Sequence, residues 1–286
     1  MARYRFRIVN VFTTSRLAGN ALAVFEDGSA LSDEQMQALA LQFNLSETTF
    51  LLPCATATAR VRIFTPSFEM PFAGHPTLGT AHVARSLLGC GDSLTLEMRA
   101  GIIPVTAQGD TWTLRANPPR ARPAHATRAE LAAMLGIQES EVRDGAQWID
   151  TGSEQLLVRV VDPAVVRRCQ PDALLLARHG SNATRTGLVY VWAHDDVPPD
   201  EHGDPIVSRF FFLKRGAVVE DPGTGSACAN LGGWFVLGNF ELPMTLSIDQ
   251  GQETGRRCRL GLHIDATANI FVSGEVVELG SGEIVL

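Results

Sequence analysis

A chain of 286 residues with 45% hydrophobic side chains is long enough for one large or two ordinary domains at about 150 residues each, which excludes a disordered chain and a mini-protein scaffold. Its 24 basic and 31 acidic side chains give a net charge of −7, and no basic run supports a nucleic-acid partner. No apolar stretch approaches the roughly 20 residues that span a bilayer, and Arg3, Arg5 and Arg7 interrupt the start, so the expectation is a soluble, cytoplasmic protein with no signal peptide and no membrane partner.

Taken in chain order, the dominant period is two. Tyr4, Phe6 and Ile8 alternate with Arg3, Arg5 and Arg7, and the same alternation marks 58–63 and 93–98. Strand-like runs follow at 21–25, 49–52, 111–114, 156–161, 188–192, 206–213, 244–248, 259–263 and 276–279. Ser32 with Gln35, and Thr127 with Glu130, are capping boxes that open amphipathic helices. Two further helices, 76–88 and 226–237, follow glycine turns and consist of small and apolar residues nearly all round, which predicts burial. Three prolines in 117–123 predict a linker, hence an N-terminal lobe over 1–118, to which a last strand at 277–286 returns, and a C-terminal lobe over 119–276.

Five cysteines, odd in number and far apart, predict free thiols in a reducing compartment and no metal site. The two buried helices open at Gly74 and Gly225. Each start offers free N–H groups and the positive end of a dipole, and together they suit a small carboxylate-bearing metabolite, although either is also consistent with an ordinary buried helix entry. The second start lacks the lysine of a P-loop, and no G-x-S-x-G elbow supports a serine hydrolase. On local sequence alone Ser46 and Glu47 read as polar loop residues, His82 and Cys228 as core residues, and the His194–His202 region as a solvated loop.

Several motifs occur in order: G-N-A-L-A-V-F at 19–25, N-L-S-E-T-T-F at 44–50, R-I-F-T-P at 62–66, P-F-A-G-H-P-T-L-G-T-A at 71–81, E-D-P-G-T-G-S-A at 220–227 and Q-G-x-x-x-G-R at 250–256. Through them the chain resembles the PhzF-like (phenazine biosynthesis-like) isomerases of the diaminopimelate epimerase-like superfamily. The resemblance implies an α+β fold of two pseudo-symmetric lobes, each a curved sheet or barrel around a central helix, with the active site between them, and a homodimer. It implies a cofactor-independent isomerase that moves a proton within a small anionic metabolite. Glu47 would be the acid/base, with His75 and Asp221 as its catalytic partners. Asn20, Ser46, Gly74, Gly225, Ser226, Gln250 and Gly251 would bind substrate. The superfamily's racemases use two cysteines where this chain has Ala73 and Pro222, so a two-thiol mechanism is not expected. A non-catalytic binding or regulatory protein, and a racemase working through Cys228, are the alternatives. Two departures stand out: Ala21 replaces a frequent proline, and Arg257-Cys258 places an extra cation near the expected site.

Overall fold

A computed structural model describes residues 1–286. The chain is mixed α+β and divides into two compact units, Met1–Arg115 with Ser273–Leu286, and Ala116–Val272. No helix is long and apolar enough to cross a membrane.

The first unit contains β1 (Arg3–Val11), β2 (Asn20–Phe25), α1 (Asp33–Phe43), β3 (Glu47–Leu52), β4 (Ala59–Phe64), β5 (Glu69–Met70), α2 (Gly74–Leu88), β6 (Ser93–Met98), β7 (Gly101–Gln108) and β8 (Thr111–Arg115). The long final strand β17 (Ile270–Val285) begins in the second unit and pairs antiparallel with β1 from Arg3↔Val285 to Val11↔Val276. Following the pairings, β1, β2, β3, β4, β6, β7, β8 and β17 close on β1 as an eight-stranded barrel. Closure leaves none of these strands with an unpaired edge.

Helix α2 packs against β1, β2, β3 and β8, and its small residues are what permit this. A Cβ on Gly79 would lie 2.7 Å from a Leu22 methyl and about as close to Val9 and Val11. The Thr80 and Thr49 hydroxyls meet at 2.8 Å in the interior and pin α2 to β3. Outside, α1 is set by the Ser32–Gln35 capping box and buries Met36, Leu39 and Ala40 on an aromatic cluster that includes Phe25 stacked on Phe50. Asn44 ends it in the left-handed conformation at φ 51°, and β3 starts three residues later with Glu47.

The second unit holds β9 (Arg120–Pro123), α3 (Arg128–Leu135), β10 (Gln147–Asp150), β11 (Gln155–Arg159), α4 (Pro163–Arg168), α5 (Ala173–His179), β12 (Leu188–His194), β13 (Asp204–Lys214), β14 (Ala217–Asp221), α6 (Gly225–Leu237), β15 (Met244–Gln250) and β16 (Cys258–Ile264). Helix α6 packs against β10, β11 and β16. Adjacent glycines make the approach possible: Gly232 faces Ile270 and Leu262, and Gly233 faces Pro119, Ile149 and Thr151. A second core, built on Leu131, Leu135, Trp148, Val189 and Phe211, lies beneath α3, α4 and α5.

The expected linker at 117–123 is not a free connection. Its second half is β9, which pairs with β10 from Arg120↔Asp150 to Pro123↔Gln147; the prolines lie at 118, 119 and the final strand position, where they break few ladder bonds. Helices α4 and α5 also differ from the strand-dominated expectation, each nucleated by an aspartate cap, Asp162 and Asp172.

Candidate functional site

In the first unit, β3 delivers Glu47 and the first turn of α2 delivers His75. The parallel pairing Leu22↔Glu47 sets the start of β2, with buried Asn20 and neighbouring Ala21, beside them. His75 Nε2 lies 3.4 Å from Glu47 Oε2, with side-chain exposures of only 7% and 15%. The imidazole also hydrogen-bonds the Ala21 backbone, while its Nε2, beside Glu47, makes no hydrogen bond. Burial pushes the His75 pKa down to about 3, outweighing the Ala21 bond, so the ring is neutral at physiological pH. A carboxyl group beside a neutral imidazole in a poorly solvated place is a two-base arrangement suited to holding and passing one proton.

In the second unit, the turn from β14 into α6 is built as a clasp. Thr224 Oγ1 donates to Asp221 Oδ2 at 2.5 Å, and Gln250 at the end of β15 holds both residues. Its Nε2 donates to the Asp221 carbonyl at 2.9 Å and to Thr224 Oγ1 at 3.0 Å, while its Oε1 accepts from Thr224 N at 3.3 Å. Gln250 thus braces the loop with all the hydrogen-bonding capacity of its amide nitrogen. Gly251, at φ 79°, passes under the same turn; a Cβ there would sit 2.3 Å from the Pro222 carbonyl oxygen. Ser226, in the first turn of α6, accepts from Gln155 Nε2 at 2.9 Å.

The two small-residue helices begin differently from the others. Helices α1, α3, α4 and α5 carry side-chain caps from Ser32, Thr127, Asp162 and Asp172. Helices α2 and α6 have Ala73 and Thr224 at the cap and no side-chain cap hydrogen bond, the Thr224 hydroxyl being given to Asp221. Their first-turn amides at Gly74, His75, Gly225 and Ser226 retain the anion-attracting character of open helix starts.

Among the other expected site residues, Ser46 is exposed just before β3. Arg257 does not supply a loose cation, since its guanidinium is tied to Asp249 at 2.5 to 3.1 Å on the surface. Cys228 and Cys258 are fully buried, and desolvation pushes both thiols well above the usual range. His82 accepts a 3.4 Å hydrogen bond from Trp112. Thr224, Gln155 and Asn230, which hydrogen-bond around Asp221 and Ser226, are not among the residues that the sequence singles out. Thr224 lies inside the E-D-P-G-T-G-S-A motif, whereas Gln155 and Asn230 carry no local signal.

The profile of the phenazine biosynthesis-like proteins matches residues 9–282. An uncharacterized isomerase of Pasteurella multocida is 37% identical over 98% of this chain and 94% of its own. The trans-2,3-dihydro-3-hydroxyanthranilate isomerase of Pseudomonas aeruginosa is 35% identical over 90% of this chain and 89% of its own. Among solved structures, the PhzF-family phenazine biosynthesis protein of Bacillus anthracis superposes with a TM-score of 0.88 at 26% identity, with both chains fully covered. Motifs, fold and full-length likeness agree, and the chain belongs to the phenazine biosynthesis-like (PhzC-PhzF) family.

Proposed function

We propose that this protein is an isomerase that moves a proton within a small unsaturated, carboxylate-bearing metabolite, with Glu47 as the acid/base and no metal or organic cofactor. The observation that carries the reading is the Glu47–His75 pair, 3.4 Å apart and largely shielded from solvent, with the imidazole neutral and hydrogen-bonded to the Ala21 backbone. Glu47 takes a proton from one carbon, the electron pair moves through the conjugated system, and the same carboxyl returns the proton to another carbon. Nothing is oxidised or reduced. Desolvation raises the proton affinity of a carboxylate, as a group that must both accept and return a proton requires. His75 positions that proton, Asp221 takes a polar group of the substrate, and the open amides of Gly74, Gly225 and Ser226 take its carboxylate, with Asn20 and Ser46 as further contacts and Gln250 and Gly251 acting through the Asp221–Thr224 turn. The relatives named trans-2,3-dihydro-3-hydroxyanthranilate isomerase make that compound the first substrate to assay. A thiol mechanism is disfavoured because Cys228 is buried and held in its neutral form.

The test is Glu47→Gln, which keeps shape and removes the base. Turnover should fall by about two to four orders of magnitude with ligand binding largely retained. In deuterated water the wild type should place at most one deuterium at the new carbon. Near-normal turnover by folded Glu47→Gln would overturn the mechanism.

A further inference from the structure

A run of buried hydrogen bonds in the second unit ends on a single hydroxyl. Asn230, fully buried on α6, accepts at Oδ1 from Thr151 N at 2.9 Å and Thr151 Oγ1 at 2.7 Å. Its Nδ2 donates to the Ser153 carbonyl and to Gln155 Oε1, both at 2.8 Å. Gln155, 1% exposed, then donates Nε2 to Ser226 Oγ at 2.9 Å.

The polarity of this run is set by the backbone. The Thr151 N–H can only donate and the Ser153 carbonyl can only accept, so the Asn230 amide has one permitted orientation. Its second donor then requires Oε1 of Gln155, and Nε2 of Gln155 is left to face Ser226. Flipping either amide would oppose two donors inside the protein, which is costly where water cannot compensate. Ser226 Oγ therefore receives a hydrogen bond from inside, and its own proton is turned away from Gln155.

We propose that Gln155 and Asn230 are positioning residues that turn the Ser226 hydroxyl proton away from the interior and toward the ligand, so that the site favours a ligand acceptor there, such as a carboxylate or carbonyl oxygen. This rests on the reading above that Ser226 contacts substrate. A ligand acceptor meets the serine proton, whereas a ligand ammonium or amide N–H finds only the one lone pair that Gln155 leaves open. A network that merely tied the β10–β11 turn to α6 would affect stability, with no dependence on the polarity of residue 155.

The discriminating variant is Gln155→Glu. It keeps the shape and the acceptor for Asn230 Nδ2 but turns the group facing Ser226 into an acceptor, which draws the serine proton inward. With 3-hydroxyanthranilate as the probe in titration calorimetry of the full chain, Gln155→Glu and Ser226→Ala should each weaken binding about tenfold to a hundredfold. The double variant should be little weaker than Ser226→Ala, because simple charge repulsion would survive loss of the hydroxyl whereas proton orientation would not. Gln155→Met, which lacks the charge, takes the same place in the cycle if the buried carboxylate prevents folding; it should cost less on its own and nothing in the Ser226→Ala background. Wild-type affinity in a folded Gln155→Glu or Gln155→Met protein, or losses that add in full to that of Ser226→Ala, would overturn the proposal. So would failure of wild type to bind 3-hydroxyanthranilate or any of benzoate, maleate and citrate, since no acceptor would then be found. A coupled cycle alongside an active Glu47→Gln enzyme would refute the acid/base assignment alone.

Discussion

Thr224 is the neighbour that fixes where a carboxyl oxygen of Asp221 lies and what it faces. Gln250 Nε2 already occupies one lone pair of the Thr224 hydroxyl, so the threonine proton goes to Asp221 Oδ2. Thr224→Val keeps the branch and removes that proton, leaving the Gln250 amide short of an acceptor. Hydrogen bonds to charged groups contribute about 1.5–3 kcal/mol, so turnover should fall about tenfold to a hundredfold, with Thr224→Ser restoring most of it. Equal activity of the valine variant would show that the turn needs no such clasp. Glu47, His75 and Asp221 stand out in the sequence only through the family resemblance of the motifs around them, since on local sequence Glu47 reads as a polar loop residue. Gln155 and Asn230 were invisible because their partners lie 71 to 79 residues away and nothing in T-G-S-E-Q marks the glutamine as turned inward.

At the scale of elements, the best-signed features were those whose cause is local. Both capping boxes form as expected, with Ser32 and Thr127 accepting from the N3 amides and Gln35 and Glu130 bonding back. The two small-residue helices are buried because their glycines admit neighbouring chains, which composition alone could suggest. Strand β9 was hidden because proline density describes what the backbone cannot do and does not show that Arg120 to Arg122 still pair. The glycine argument is testable at Gly233, where a Cβ would come within 2.8 Å of Pro119 Cβ and 3.0 Å of Ile149 Cγ2. Alanine in a helix interior normally gains about 1 kcal/mol over glycine. Here overpacking against a proline ring and a β-branched side chain costs about 1–3 kcal/mol, so Gly233→Ala should leave the protein no more stable than wild type and up to about 2 kcal/mol less stable in urea unfolding. A clear stabilisation would mean that α6 can move off the strands.

For the molecule as a whole, the burial of histidine side chains sets the response to acid. Desolvation lowers the pKa of three histidines, His75 to about 3 and His82 and His194 by smaller amounts in the same direction. Below an unfolded pKa of about 6.5 the unfolded chain binds protons at these sites and the folded chain does not, so stability falls as pH drops and His75 stops contributing to that fall only near pH 3. The carboxylates act in another range. Arg62 holds Glu69, and Arg122 holds Glu154, below the usual carboxylate values, so their stabilisation is present above about pH 4.5 and is lost only below it. Between pH 7 and 5 the histidines therefore dominate, and His75 alone should account for about 2 kcal/mol of lost unfolding free energy. Urea titrations of wild type and His75→Asn at pH 7, 6 and 5 measure this directly: the variant starts from its own lower or higher value but should lose about 2 kcal/mol less across the interval. Identical losses in the two proteins would mean that His75 takes up a proton in the folded state as readily as in the unfolded one. In that case the imidazole facing Glu47 would be a cation over this range, and the two-base arrangement proposed for proton transfer would be wrong.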